Sequence, residues 1–202
     1  QREETPEAIR LSVPIIKDII RAYRIPILEI AGYEADDVIG TLATKAGQQG
    51  ITTYMMTPDK DYGQLVTDHV FMYRPKYGDK EFEVMGVEQV KAKFDIQSPV
   101  QVIDMLGLMG DASDNIPGCP GVGEKTAQKL IAEFGSIENL LEHTEQLKGA
   151  LKIKVETNRE MITFSKFLAT IKTDVPIKLD MDALVREQAD EEALRKIFEE
   201  LE

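Results

Sequence analysis

The sequence predicts an α/β fold: a parallel-sheet core carrying a metal site, followed by helices. Three observations predict it. A strand–helix–strand pattern runs from residue 25 to residue 57. Acidic clusters follow two of the expected strands. A glycine turn then opens a pair of short helices.

Taken in order, Pro6 to Tyr23 places Ile9, Val13, Ile16, Ile19 and Ile20 at helical spacing, with Pro14 leaving one helix or two open. Ile25 to Ile30 reads as a short strand. Glu34 to Ala46 reads as a helix that turns Val38, Ile39, Leu42 and Ala46 inward and stops at Gly47 and Gly50. Ile51 to Thr57, rich in β-branched residues, is the next strand, so a parallel βαβ unit is expected. Val70 to Arg74 and Glu81 to Met85 read as a hairpin joined by Lys76 to Lys80. Helices are expected at Val87 to Phe94, Pro99 to Met109, Glu124 to Phe134 and Ile137 to His143. Gly135 and Ser136 supply the caps between the last two. The rest is expected to be mostly helical. The chain divides as 1–109 (carboxylate-bearing α/β core), 110–145 (helix-hairpin-helix) and 146–202 (helical C-terminal region).

Composition excludes several classes. One cysteine, Cys119, forbids an intramolecular disulfide and suits a reducing compartment. One cysteine and two histidines are too few for a structural zinc site. No apolar run approaches the ~20 residues of a membrane span, and the first ten residues are too polar for a signal peptide. The net charge of −12 at first argues against a nucleic-acid partner, but it is unevenly spread. Asp180 to Glu202 holds nine acids and three bases, and seven more acids sit in three clusters, leaving the remainder at +1.

The clusters are Glu34, Asp36 and Asp37, then Asp59 and Asp61, then Asp111 and Asp114. Ligand sites of open α/β sheets lie beyond the carboxyl ends of strands, where two of the clusters are expected. Seven carboxylates brought together repel unless cations sit among them, and hard oxygen ligands suit Mg2+ or Mn2+. Two such ions can activate water for phosphodiester hydrolysis. Each cluster alone also reads as helix capping or as charge on the helix dipole.

Gly121-Val122-Gly123 opens a helix, where free amides favour a phosphate. Lys125, Thr126 and Lys129 add charge and a hydroxyl. Gly118 and Gly123 have the spacing of a phosphate-binding P-loop, but Glu124 stands where its lysine belongs. The apolar residues that follow favour a helix-hairpin-helix, which holds a nucleic-acid backbone without reading sequence. Met55, Met56, Met105 and Met109 read as core, and Tyr33, Tyr54 and Tyr62 as packing residues. Lys148, Lys152, Lys154 and Arg159 read equally as a phosphate track or a solvated face.

Gly32 to Ala43 (Gly-Tyr-Glu-Ala-Asp-Asp-Val-Ile-Gly-Thr-Leu-Ala), Thr57 to Val66 (Thr-Pro-Asp-Lys-Asp-Tyr-Gly-Gln-Leu-Val) and Gly110 to Ala127 resemble, in order and spacing, the 5′–3′ exonuclease domain of bacterial DNA polymerase I, of the flap-endonuclease family. The resemblance covers nearly the whole chain and implies a PIN-like 5′-nuclease core. It implies a metal-ligand set of Glu34, Asp36, Asp37, Asp59, Asp61, Asp111 and Asp114, with Asp59, Asp61, Asp111 and Asp114 catalytic, and two ions in the complete site. It maps the helix-hairpin-helix onto Ile116 to Leu141. There Gly121, Val122, Gly123, Lys125, Thr126 and Lys129 would grip duplex DNA, with K+ on backbone carbonyls. The implied substrate is a 5′ flap or primer RNA on duplex DNA, in replication and repair in the bacterial cytoplasm at the nucleoid.

The family begins with a further strand, aspartates and a basic arch, and it carries a polymerase module. This chain is expected to start just after the arch, to belong to a larger enzyme and to cleave poorly by itself. Two other readings stand beside this one. One is a non-catalytic helix-hairpin-helix module. The other is a haloacid-dehalogenase-type phosphatase using Asp59 and Asp61, although Gly63 replaces the Thr or Val usual there.

Overall fold

In a computed structural model of the chain, residues 5–76 and 81–201 are described. They divide into two compact units, Tyr33–Ile177 and a second made of Gln1–Gly32 with Lys178–Glu202.

The larger unit holds a three-stranded sheet in the order β1-β2-β3, with β1 Thr53–Met56, β2 Val70–Pro75 and β3 Phe82–Met85. β1 and β2 pair in parallel, Thr53 opposite Val70. β2 and β3 pair antiparallel, Met72 opposite Met85, so the sheet is mixed. The hairpin expected between β2 and β3 closes with the Lys76 N–H donating to the Glu81 carbonyl at 2.9 Å, and its turn lies outside the described residues. The parallel pair is not the one the sequence predicts. Ile25 to Ile30 forms no strand, because Pro26 offers no N–H to a ladder and no strand pairs with the segment among the described residues. The parallel connection instead runs from β1 to β2 through a 3-10 turn at Lys60–Leu65. That turn carries the second acidic cluster off the carboxyl end of β1.

Helix α2, Ala35–Gln48, buries Val38, Thr41, Ala43 and Ala46. It is tethered to the segment after residue 169, where the Thr41 hydroxyl accepts the Val175 N–H at 3.1 Å. Helix α3 spans Val87–Phe94 as expected. The region expected as one helix from Pro99 is a 3-10 turn followed by α4, Val102–Met109. α4 is the apolar axis of this unit, with Val102, Met105, Leu106 and Leu108 fully enclosed. It packs against α5, Glu124–Phe134, and α8, Arg159–Ala169, with α6 (Ile137–Glu142) and α7 (Gly149–Thr157) beside them. α5 buries Ala127, Leu130, Ile131 and Phe134, the i, i+3, i+4, i+7 stripe of an amphipathic helix. The Ser136 hydroxyl caps α6 by accepting the Asn139 N–H at 3.2 Å.

One acid inside this core is structural. Asp104 on α4 is 5% exposed. Its carboxylate accepts the Ile137 N–H at 2.9 Å and pairs with the Lys166 ammonium at 2.6 Å, which reaches Glu138 at 2.7 Å. Burial opposes the charge on Lys166, but the two carboxylates outweigh it and raise its pKa. α4, α6 and α8 are thus pinned by one network, and removing one partner would leave a buried charge.

The smaller unit packs α1, Glu7–Ala22, against α9, Glu191–Leu201. α1 is a single helix that tolerates Pro14 inside it. The Asp190 N–H donates to the Ala22 carbonyl at 2.7 Å, and Arg24 pairs with Glu187 at 3.2 Å. The stretch between α8 and α9, expected to be largely helical, is irregular.

The loop leaving α4 needs glycine at residue 110. Gly110 has φ +74°, and a Cβ there would lie 2.6 Å from the Ile116 carbonyl oxygen. Gly110→Ala should therefore cost about 2–3 kcal/mol and lower Tm by roughly 5–10 °C. Thermal melts test this; an unchanged Tm would show that the loop relaxes freely.

Candidate metal centre and nucleic-acid interface

Residues 110–116 form a tight loop in which Asp111 and Ile116 exchange both backbone hydrogen bonds, at 2.9 and 2.8 Å. The loop is anchored from behind. The Gly118 N–H donates to the enclosed Ser165 hydroxyl at 2.9 Å, and the Cys119 N–H to the Leu108 carbonyl at 2.7 Å. The anchoring fixes Asp111, whose carboxylate also accepts the Ser113 N–H at 2.8 Å.

At the end of β1, Asp59 accepts the Asp61 N–H at 3.0 Å and caps the 3-10 turn. The turn directs Asp61 inward, where it is only 9% exposed. Oxygen atoms of Asp61, Asp111 and Asp114 then lie within 4.8 Å of one another, a spacing one cation can bridge. Asp61 Oδ1 is enclosed and has no hydrogen-bond partner among the described residues. A carboxylate that has one enclosed, unpartnered oxygen and is grouped with two further carboxylates fits a hard divalent cation.

Electrostatics agree. Burial, then the neighbouring charge of Asp59, push the Asp61 pKa up to about 7. The Lys60 ammonium pairs with Asp111. Burial opposes the Lys60 charge, but Asp111, Asp61 and Asp59 outweigh it and raise its pKa. For Asp111 burial acts upward, yet the Lys60 and Ser113 hydrogen bonds prevail and lower its pKa.

The first cluster is placed differently. It follows no strand and lies at the N-terminus of α2, with Glu34 exposed at the cap position. Asp36 accepts the Tyr62 hydroxyl at 2.8 Å, and Asp37 accepts the Lys172 N–H at 2.9 Å. Burial, then the Asp36 hydrogen bond, raise the Tyr62 pKa. Glu34, Asp36, Asp37 and Asp59 lie outside the three-carboxylate group. Tyr62 is thus more than packing, since it joins the first cluster to the turn bearing the second. Lys60 is the other residue the sequence reading passes over, although its place between Asp59 and Asp61 is a visible signal.

Gly121-Val122-Gly123 precedes α5 directly. Val122 is buried and anchors the turn, while Gly121, Gly123, Lys125 and Lys129 are exposed and Thr126 is half-buried. Gly123 caps the helix, and a Cβ there would meet nothing within 4 Å, so the approach to its first amides is open. Gly121, at φ +75°, has its carbonyl held by the Lys154 ammonium at 3.2 Å. The glycine turn lies between α4 and α5; α6, which the sequence reading takes as the second helix, follows the next turn.

The larger unit thus carries a carboxylate group where a strand end meets a helical loop, and a glycine turn that opens α5. The bacteriophage T5 flap endonuclease, solved as a pseudo-enzyme–product complex with DNA and metal ions, shares the fold. Its TM-score is 0.64 at 22% identity, over 85% of this chain and 61% of that one. Residues 1–95 match the family described as 5′–3′ exonuclease, N-terminal resolvase-like domain, and residues 97–192 match 5′–3′ exonuclease, C-terminal SAM fold. The 5′–3′ exonuclease of Aquifex aeolicus is 37% identical over 202 residues, covering 100% of this chain and 67% of that protein. DNA polymerase I of Bacillus caldotenax is 42% identical over 201 residues, or 99% of this chain and 23% of the polymerase. The chain belongs to the 5′–3′ exonuclease family, a family of nucleases. It spans about a quarter of the length of the polymerase I relatives it matches. The phosphatase reading gives way to this membership. Among the described residues, no helix is long and apolar enough to cross a membrane.

The raised Asp61 pKa has a consequence for stability. Its folded value, about 7, exceeds the ordinary 3.8, so the folded state favours the protonated acid. The metal-free protein should be relieved of this penalty below about pH 4 and lose stability as pH rises through 7, by at most about 4 kcal/mol. Asp61→Asn should flatten that decline and melt higher than the parent protein at pH 8 in EDTA. Parallel pH profiles for the two proteins would contradict the assignment.

Proposed function

We propose that this chain is the nuclease part of a DNA polymerase I-type protein that hydrolyses phosphodiesters at 5′ flaps and primer RNA during replication and repair, and that by itself it binds duplex DNA but cleaves poorly. The observation that carries this reading is the Asp61, Asp111 and Asp114 group in the same compact unit as the glycine turn of α5. Asp59, Asp61, Asp111 and Asp114 are proposed as the catalytic carboxylates, and Glu34, Asp36 and Asp37 as further metal ligands, of a site that holds two Mg2+ or Mn2+ ions once the family's N-terminal aspartates complete it. Divalent cations there would supply positive charge to the phosphate and acidify water.

The residues divide the work. Asp61 and Asp111, held by a turn and by an anchored loop, offer fixed oxygens that need no reorganisation when a phosphate arrives. Lys60 balances part of the carboxylate charge. Asp36, through Tyr62, orients the turn that carries Asp61. The amides opening α5, with Lys125, Thr126 and Lys129, would hold a duplex backbone phosphate, with K+ on the turn's carbonyls when DNA is bound. Phosphate contacts of this kind bind duplexes irrespective of sequence.

A 5′-flap substrate with Mg2+ or Mn2+ tests the reading. In the whole polymerase I-type protein, Asp111→Asn with Asp114→Asn should reduce hydrolysis at least about 100-fold while duplex binding persists. Lys125→Ala should weaken binding to unrelated duplexes alike and reduce the slope of log affinity against log salt by about one. Hydrolysis untouched by the double substitution would refute the site. A Lys125→Ala effect confined to one sequence would refute the backbone grip.

A further inference from the structure

Beside the carboxylate group lies a groove of about 570 Å³. Its lining includes the carboxylates of Asp59, Asp111 and Asp114 and the cations of Lys60, Arg74 and Lys93. The three cations come from different elements: the turn after β1, the end of β2, and α3. Two of them are already engaged. Lys60 pairs with Asp111, and the Arg74 guanidinium with Glu83 at 2.6 Å. Lys93 has no carboxylate within ion-pair distance among the described residues. Its ammonium lies 5.7 Å from the centre of the Phe94 ring and its side chain is exposed.

We propose that this groove is a phosphate subsite in which Lys93 holds the nucleic-acid phosphate next to the one at the carboxylates. A strand whose reacting phosphate sits among acids brings its neighbouring phosphate into the same repulsive field. That phosphate is admitted only where cations line its path. Arg74 and Lys60 lend the groove positive field while their charges remain paired, and Lys93 supplies the unshared donor. The Lys93 pKa points the same way: burial, then the charge of Arg74, lower it, Glu83 opposes them and Lys60 adds to them, so the net shift is downward and an arriving anion would offset it. Lys93 is a substrate-positioning residue in this account. The proposal rests on the nuclease reading above.

The probe is a 5′-flap duplex bound by the full chain, with Ca2+ replacing Mg2+ as a cation for the same oxygen donors. Affinity is measured from about 50 to 200 mM salt. The duplex is made with a normal backbone and with an uncharged methylphosphonate at the phosphate neighbouring the scissile one. Lys93→Met keeps the stem over Phe94 and removes the charge. It should weaken binding about tenfold at low salt and lower the salt slope by about one, and Lys93→Arg should restore both. On the methylphosphonate duplex Lys93→Met should have no further effect. An unchanged slope, or losses that multiply on the methylphosphonate duplex, would overturn the subsite. Asp111→Asn, measured alongside, separates the two readings. If it leaves the Ca2+-dependent part of binding intact, the metal reading fails and the subsite with it. If that part is lost while Lys93→Met binds like the parent, the subsite alone fails.

Discussion

Asp61, Asp111 and Asp114 hold like charges within a few ångströms of one another in a half-enclosed site, and much of the larger unit is arranged around that repulsion. Unit charges of one sign about 4 Å apart repel by roughly 4 kcal/mol at an effective dielectric of 20. Protonating Asp61, pairing Asp111 with Lys60 and admitting a divalent cation each reduce it. The first two operate without metal. The third satisfies the orphaned Asp61 oxygen as well, which neither of the others does.

Rigid packing sustains the repulsion. α4 buries six of its eight residues and hands its last turn directly to the Asp111 loop. Ser165 and the Asp104–Lys166–Glu138 network hold α8 and α6 against α4, so the loop cannot swing away to separate its acids from Asp61. On the other side, β1 ends in a turn capped by Asp59 and steadied by Gln64, whose amide donates to the carbonyls of Asp61 and Ala169 at 3.0 and 2.9 Å. The same core carries the glycine turn through buried Val122 and Ala127. Backbone gripping and carboxylate chemistry are therefore built on one packed scaffold.

Much of this was legible in the sequence. Glu124–Phe134 and Val87–Phe94 followed from apolar periodicity and capping residues, which act locally. The grouping of Asp61 with Asp111 and Asp114 followed from the resemblance. Strand-end placement pointed to Asp61 but equally to Glu34, Asp36 and Asp37, which follow no strand and lie outside the group. The strand expected at Ile25 to Ile30 did not form, because β structure depends on a partner that local pattern cannot supply. The partners of Asp36 and Asp37, Tyr62 and the Lys172 N–H, were hidden for a related reason. One is 26 residues away in sequence and the other 135. The groove with Lys93 and Arg74 was equally invisible, since its cations meet only once the sheet and α3 are assembled.

The central claim is that the repelling carboxylates are a cation site. Anomalous diffraction from crystals grown with Mn2+ tests it most directly. The account predicts a peak bridging Asp61, Asp111 and Asp114, with oxygens about 2.0–2.3 Å away and the Lys60 ammonium withdrawn from Asp111. A Mn2+ peak elsewhere, with Lys60 still paired to Asp111 and no density among the three carboxylates, would contradict it.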